Sequence, residues 1–585
     1  MLFPNRCRFR CKMFLCVLGA FLLCASSAAD EADRGWRNIR YGTEIPSEDY
    51  ADQPYIVIAE DGSWVCTLTT GRGEEWQGNQ HVVAAISGDL GRTWSDPVDI
   101  EPATGPEASW VVPLATRFGR IYGFYTYNGD NVRVGRSDTH GWYAYKYSDD
   151  GGRTWSRETY RLPMRLTACD LDNGLPEGVI HFWGICKPIV VGDEVYFAFT
   201  KLSRHFLEDG EGWLFRSDNV LTEKDPSRIR WGMLPDGEHG IRNAAFGSVQ
   251  EEHNVVALSD GSLYCVYRTT LGFPAVSYSR DDGRTWCMPE PMTYGPHGRV
   301  VRNPRACPRV WRCGNGRFLF WYHNHGGKDF RSRNPVWISG GIEKSGTIHW
   351  SEPEILLYDD NVDTRMSYPD LIEQNGRYWF TETQKTVARV HEIPAAFLDT
   401  VWNQGEDKRL TTDGVLLALD AQRVSQSVRL PPLPDLAKRG GFSIDLWFEL
   451  SDLSPGQILL SSRDDSGKGI ALLTGAQRNL QLVINDGKRS AVWSSDPGLL
   501  KKNTLHHVVF TVDGGPRIIS VVVDGKLCDG GSDRQYGWGR FPADMSDVTG
   551  SGTLNLSPTL KSVRIYSRYL MTSEAVANYH AGCGE

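Results

Sequence analysis

Glu252 lies nine residues before Gly261 and Arg268 seven after it, Tyr368 lies eight before Gly376 and Glu382 six after it, and Lys187 lies five before Gly192. Arg72, Glu74, Glu75 and His81 follow the turn at Gly62, and Tyr127, Asn128 and Asp130 follow the turn at Gly119. Guanidinium and ammonium groups hold anions through charge-assisted hydrogen bonds. A carboxylate beside a phenol can take its proton and make the oxygen a nucleophile. If these side chains meet on one rim, they suit an anionic, hydroxyl-rich ligand such as an acidic glycan. Taken singly, each is an ordinary solvated loop charge.

The glycines that order these residues belong to a repeat. Six strand–turn–strand units recur, YIVIAEDGSWVCTLTT, VVPLATRFGRIYGFYTY, KPIVVGDEVYFAFT, NVVALSDGSLYCVYR, PRVWRCGNGRFLFWYH and YPDLIEQNGRYWFTET, with turns at Gly62, Gly119, Gly192, Gly261, Gly316 and Gly376. An independent pattern, S-x-D-x-G-x-T-W, occurs at Ser87–Trp94, Ser148–Trp155 and Ser279–Trp286, with weaker copies near Ser217 and Lys344. The unit is therefore about 65 residues long, and units of that size bury their faces by stacking in a ring. Residues 36–402 are predicted to form a six-bladed β-propeller, with the segment Trp36–Tyr41 completing the last blade. The Asp and Ser of each S-x-D turn can bond local backbone N–H groups, which gives Asp89, Asp150 and Asp281 a structural role.

From 403 the character changes. Residues 403–440 read as a linker, with the Pro-rich stretch Pro431–Leu436, and a first strand; 441–585 carry evenly spaced alternating strands, which predicts a second, β-sandwich domain. The fold class is all-β throughout.

With 585 residues, 40% apolar and 23% charged, the chain can bury large cores. The first 28 residues carry Arg6, Arg8, Arg10 and Lys12, then an apolar run too short to span a bilayer, and read as a cleaved signal peptide. The protein is thus expected to be secreted or periplasmic, with no membrane span. Losing four positive charges takes the net charge from −9 to about −13, which argues against nucleic acid as a partner. Nine cysteines remain, too few for a disulfide framework; Cys528 and Cys583, alone in the last quarter, are expected to bridge. No metal or organic cofactor is required by the chemistry, with room for a calcium ion in the sandwich, and the oligomeric state is open.

Within 36–402 the sequence resembles the sialidase (neuraminidase) superfamily. EEHNVVALSDGSLYCVYR is similar to the sialidase segment with a Glu before one strand and an Arg ending the next, which gives Glu252 and Arg268. RSRNPVWISGG is similar to a later Arg-bearing strand, giving Arg333, and MSYPDLIEQNGRYWFTET to the segment of the nucleophilic Tyr, giving Tyr368. The resemblance implies that Arg268 and Arg333 clamp a carboxylate while Tyr368, activated by Glu252, attacks the anomeric carbon. A neutral phenol avoids the repulsion that a carboxylate nucleophile would meet from a substrate acid group, and sialidases depart from the two-carboxylate rule in this way. Two features depart from the pattern. Asp52-Gln53-Pro54 stands where sialidases have Arg-Ile-Pro, so Gln53 faces the ligand and Arg72 is the candidate replacement. The loop GRGEEWQGNQHVV holds Glu74, Glu75 and His81 where an Asp acid/base is usual, and Glu75 is taken as proton donor. Residues 441–585 resemble laminin-G-like or concanavalin-like jelly rolls.

These features imply an exo-acting, retaining glycoside hydrolase that removes a terminal acidic sugar, sialic acid foremost. Two alternatives stay open: a lyase or hydrolase of uronate polysaccharides, with His323 or His81 moving protons, and a non-catalytic glycan-binding protein.

Overall fold

The computed structural model describes residues 35–583 except 172, 206, 421–422 and 425–426. The expected signal peptide lies outside the described residues.

Among the described residues, six antiparallel meanders follow one another from Tyr50 to Ile393. The first is Tyr50–Ile58, Trp64–Gly71, His81–Ser87 and Val98–Asp99; the second is Ala108–Ala115, Ile121–Tyr127, His140–Ser148 and Tyr160–Arg161. The third (Ile189–Val191, Glu194–Lys201, Glu211–Ser217, Gly232–Leu234) is joined to the second by the short strand Ile180–Trp183, which pairs with both. The fourth runs Glu251–Ala257, Leu263–Arg268, Ala275–Ser279 and Glu290–Pro291; the fifth runs Arg309–Arg312, Phe318–Tyr322, Val336–Lys344 and Thr347–Trp350, with Glu354–Leu357 also on its third strand. The sixth, Leu371–Gln374, Arg377–Thr383 and Ala388–Ile393, takes its fourth strand, Thr43–Ile45, from the chain's beginning. That strand lies just after the segment expected to complete the sheet; Ile39–Tyr41 is instead a single 3-10 turn. All six predicted turn glycines have positive φ.

Each sheet packs on the next through large apolar side chains. One cluster joins Val57, Val65 and Val82 to Val111, Ile121 and Tyr125; another joins the second, third and fourth sheets through Phe124, Phe199 and Tyr267. Val266 and Phe320 link the fourth to the fifth, Trp321 and Phe380 the fifth to the sixth, and Trp379 and Trp64 the sixth to the first.

The S-x-D motif forms the same knot three times, between the third and fourth strands of the first, second and fourth sheets. Ser148 Oγ donates to Asp150 Oδ1 at 2.7 Å and accepts from Gly152 N at 2.8 Å, while Asp150 accepts from Thr154 N at 2.9 Å and Thr154 Oγ1 at 2.6 Å. Ser87, Asp89, Gly91 and Thr93 repeat this set, as do Ser279, Asp281, Gly283 and Thr285. The bonds from Thr93 hold the Asp89 carboxyl at about 2. Gly152, at φ 85°, also lets the turn press on the neighbouring sheet, since a Cβ there would stand 2.7 Å from Val65 Cγ1. Gly152→Ala is therefore expected to cost about 1–3 kcal/mol through backbone strain alone. A denaturant midpoint equal to wild type would contradict this reading of the turn.

The C-terminal strands form two facing sheets. One orders Val415–Leu419, Leu560–Tyr566, Phe442–Glu449, Leu505–Asp513, Ile518–Val523 and Lys526–Leu527; the other orders Val428–Arg429, Thr553–Leu556, Ile458–Ser461, Gly469–Thr474, Leu480–Asn485 and Ser490–Ser494. Ile444, Phe510, Leu472 and Leu482 fill the space between them. The strands Val415–Leu419 and Val428–Arg429 fall in the segment read as a linker. Val509, Ile518 and Trp538 pack against the fourth and fifth sheets, and the contact is sealed by Arg37 with Asp513 at 2.9 Å and Arg299 with Asp529 at 3.2 Å. Glu354 accepts from Thr572 N at 3.0 Å and Ser573 N at 2.7 Å, tying the helix Thr572–Ala581 to the fifth sheet.

The expected Cys528–Cys583 bridge is not formed: both are free thiols. Cys528 Sγ is buried and accepts from Asp496 N at 3.4 Å, whereas Cys583 follows the terminal helix near Arg564 and Lys561. No helix among the described residues is long and apolar enough to cross a membrane.

Candidate functional site

Four residues in or just before the first strands of their sheets share an unusual backbone. Gln53, Trp110, Glu252 and Tyr368 have φ of 52°, 57°, 59° and 47°. The first three sit at register shifts, between Asp52 and Tyr55, Ser109 and Val112, and Glu251 and Asn254. A bulge with left-handed backbone re-aims its side chain, and a non-glycine residue pays strain of about 1–3 kcal/mol to hold it. Repetition of this feature in four sheets brings separate parts of the chain to one place.

Tyr368 Oη donates to Glu252 Oε1 at 2.7 Å. The same oxygen is 2.5 Å from Arg268 Nη1, and Arg268 Nε and Nη2 donate to Glu251 Oε2 at 2.9 and 2.6 Å. Arg268, Glu251 and Glu252 are at most 2% exposed. Burial, followed by the Glu252 charge, raises the Tyr368 hydroxyl well above the usual phenol value, although Lys385, Arg268 and Arg333 pull it down. In the free site the phenol is neutral, with its proton directed at a carboxylate. Ile185 and Cys307 form the apolar surface beside the ring.

Lys385 Nζ lies 4.3 Å from the centroid of the Tyr368 ring. It donates to Asp52 Oδ2 at 2.6 Å, which also accepts from Tyr50 Oη at 2.7 Å, and it is 3.5 Å from Glu75 Oε1. Arg136 Nη2 holds the same Glu75 oxygen at 3.1 Å and is itself clamped by Asp138. Burial pushes the Glu75 carboxyl up, but Lys385 and Arg136 outweigh it and hold it at about 2. The expected proton donor is thus a carboxylate in the free site.

Arg333 Nη1 donates to Ser367 Oγ, next to Tyr368, at 2.5 Å, and its Nη2 donates to the Arg305 carbonyl at 3.1 Å. Gln53 is fully buried, with both amide atoms unpartnered. Arg72 is exposed and forms no ion pair with a described residue. Lys187 is drawn away from this group: its Nζ meets Asp370 Oδ2 at 2.7 Å. Lys187 and Asp370 instead line a cavity of about 440 Å³ formed with Asn254–Ala257 and Arg309–Gly314, beyond the strand starts that carry the reactive groups. Tyr368, Glu252 and Arg268 do not line it.

His323 is 1% exposed, with its backbone N–H donating to Asn303 Oδ1 at 3.0 Å and its Nδ1 3.4 Å from the Pro335 carbonyl. Burial and the nearby Arg333 push its pKa well below 6.5, so it is a neutral ring held for packing. Burial likewise lowers His181 and His325 to about 4 and His253 to about 3. Unfolding releases these rings to ordinary basicity near 6.5. Stability is therefore unaffected by them above that value and falls as pH drops from 6.5 towards 4, by up to about 1.4 kcal/mol per pH unit for each ring. Urea midpoints at pH 7 and 5 would show this as a marked loss at pH 5; equal midpoints would contradict it.

Residues that counting from turn glycines did not select include Glu251, Asp52, Lys385, Arg136 and Arg305. Asp52 carried a signal, because a carboxylate buried in a strand requires a cation and Lys385 supplies it.

Residues 106–380 match the family model of the BNR repeat-like domain, and 422–577 match that of the concanavalin A-like lectin/glucanases superfamily. The chain joins a BNR repeat-like domain to a concanavalin A-like domain. No curated protein matches the sequence. Among solved structures, Trypanosoma rangeli sialidase is similar at 14% identity and a TM-score of 0.41, covering 93% of this chain and 97% of its own. A Hadza microbial sialidase is similar at 18% identity and a TM-score of 0.44, over 60% of this chain and 68% of its own. A Dyadobacter fermentans protein of unknown function is similar at 16% identity and a TM-score of 0.43, over 60% of this chain and 98% of its own.

Proposed function

We propose that the six sheets form a six-bladed propeller and that the protein is an exo-acting, retaining glycoside hydrolase that releases a terminal acidic sugar, sialic acid foremost, from glycans. The observation that carries this reading is the 2.7 Å hydrogen bond from Tyr368 to Glu252, with Arg268 fixing the same carboxylate. In the reaction, Tyr368 Oη bonds to the anomeric carbon as its proton passes to Glu252 and the bond to the leaving oxygen breaks. Water then attacks the same carbon and gives up a proton that ends on the departed oxygen, the Tyr368 oxygen leaves and recovers its own proton from Glu252, and two displacements return the starting configuration. A buried phenol beside an acceptor suits an acidic substrate, because it brings no negative charge of its own.

Glu75 is the carboxylate of the altered loop. It can protonate a leaving oxygen only when Lys385 and Arg136 are drawn off it, so aryl glycosides, whose leaving groups need no proton, are expected to be the better substrates. The test is hydrolysis of aryl glycosides of sialic acid, glucuronic acid and neutral sugars, with the anomer formed first read by NMR. The sialoside should be cleaved fastest, with retention. Inversion, or no turnover of any acidic glycoside, would overturn the proposal.

A further inference from the structure

Five carboxylates gather around Tyr368, namely Asp52, Glu75, Asp138, Glu251 and Glu252, and each is within salt-bridge distance of Lys385, Arg136 or Arg268. Two cations stay outside this pairing. Arg305 and Arg333 make no ion pair with any described residue, although Arg333 is only 6% exposed and donates to the Arg305 backbone. The Nε atoms of both are buried and unpartnered. The Arg305 peptide is fixed in a loop that reaches Tyr368: its N–H donates to the Asp329 carbonyl, Asn303 Nδ2 donates to the carbonyls of Pro304 and Ala306, and Cys307 packs on the Tyr368 ring. Arg268, by contrast, already spends three donors on Glu251 and Glu252, and removing it to bind a ligand would strand two buried carboxylates.

We propose that Arg305 and Arg333, rather than Arg268, form the clamp for the substrate's acid group, and that Arg268 is a positioning residue that holds Glu252 against Tyr368. The inference rests on the reading of Tyr368 and Glu252 as a glycosidase pair. Two arginines in contact through the Arg333 guanidinium and the Arg305 carbonyl, neither in an ion pair with a described residue and each with its Nε unpartnered, can together serve a carboxylate. They also account for the absence of an arginine from the first sheet, where Asp52 and Lys385 cancel each other. Burial, and then the charges of Arg268 and Arg333 against those of Glu251 and Glu252, lower the Arg305 guanidinium to about 10.

The test measures binding by calorimetry in Tyr368→Phe protein, so that turnover does not intervene. The probes are sialic acid, glucuronic acid and the methyl ester of each; the proteins are the parent, Arg305→Gln, Arg305→Lys and, at an exposed arginine between the third and fourth strands of the second sheet, Arg157→Gln. Arg305→Gln should weaken binding of the free acid roughly 100-fold, leave the methyl ester within about threefold, and be partly restored in Arg305→Lys. Arg157→Gln should match the parent. The acid-to-ester ratio within one protein controls for misfolding. Equal affinity for the acid in the parent and Arg305→Gln would overturn the clamp while leaving the glycosidase reading intact. Arg305-dependent binding of glucuronate without sialate would support the clamp and remove sialic acid as substrate. A parent that binds no sugar acid overturns the clamp.

Discussion

Tyr368→Phe is expected to fold as the wild type does and to lose turnover of an acidic aryl glycoside by about 10³-fold or more, the scale of removing a nucleophile. The substitution deletes one oxygen from a side chain that is 8% exposed and keeps the ring on Ile185 and Cys307. Glu252 loses the phenol but retains Arg268 at 2.5 Å, so no buried charge is stranded. The cost in stability should be about 1 kcal/mol, that of one ordinary hydrogen bond. Affinity for the substrate should change little, since the phenol acts on the anomeric carbon and not on the acid group. A wild-type rate in a correctly folded Phe variant would remove Tyr368 from the chemistry.

Arg268→Met is expected to be the most destabilising substitution at the site. It leaves Glu251 and Glu252, both at most 1% exposed, without their shared cation, and breaking a buried pair in this way costs about 3–5 kcal/mol. Glu251→Gln combined with Arg268→Met should recover part of the loss at pH 7, because one of the two uncompensated charges is gone. Denaturant midpoints of the three proteins at pH 7 check this. A single variant as stable as wild type at pH 7 would mean that Arg268 is not the counter-ion of these carboxylates.

The sequence made the repeat legible because its signals are local. A turn glycine, alternating apolar residues and an S-x-D-x-G-x-T-W knot each act within a few residues, and all six hairpins and three knots stand where those patterns lie. Glu252, Arg268 and Tyr368 were readable by their distance from the turns, since hairpins of similar length bring similar offsets to one end of their sheets. Lys187 shows where that rule fails: the strand edge of the third sheet is broken between Trp183 and Ile189, so its offset from Gly192 no longer measures position along the sheet, and the ammonium goes to Asp370. Lys385 and Arg136 sit in connections beyond the second strands, where loop length varies and counting from the turn gives no position. Left-handed backbone at Gln53, Trp110, Glu252 and Tyr368 leaves no trace in residue type, because these side chains hold it against their own preference. The disulfide expectation used only the isolation of Cys528 and Cys583 in sequence, whereas pairing depends on Cα positions that sequence spacing does not set.

Retention through Tyr368 requires a covalent bond between that residue and the sugar. The direct measurement is mass spectrometry of protein treated with an activated fluorinated sialic acid, which slows the second displacement, followed by proteolysis. The account predicts one added sugar per chain, carried by the peptide containing Tyr368 and absent from Tyr368→Phe. An adduct on any other residue, or hydrolysis of the reagent with no adduct at any time, would contradict it.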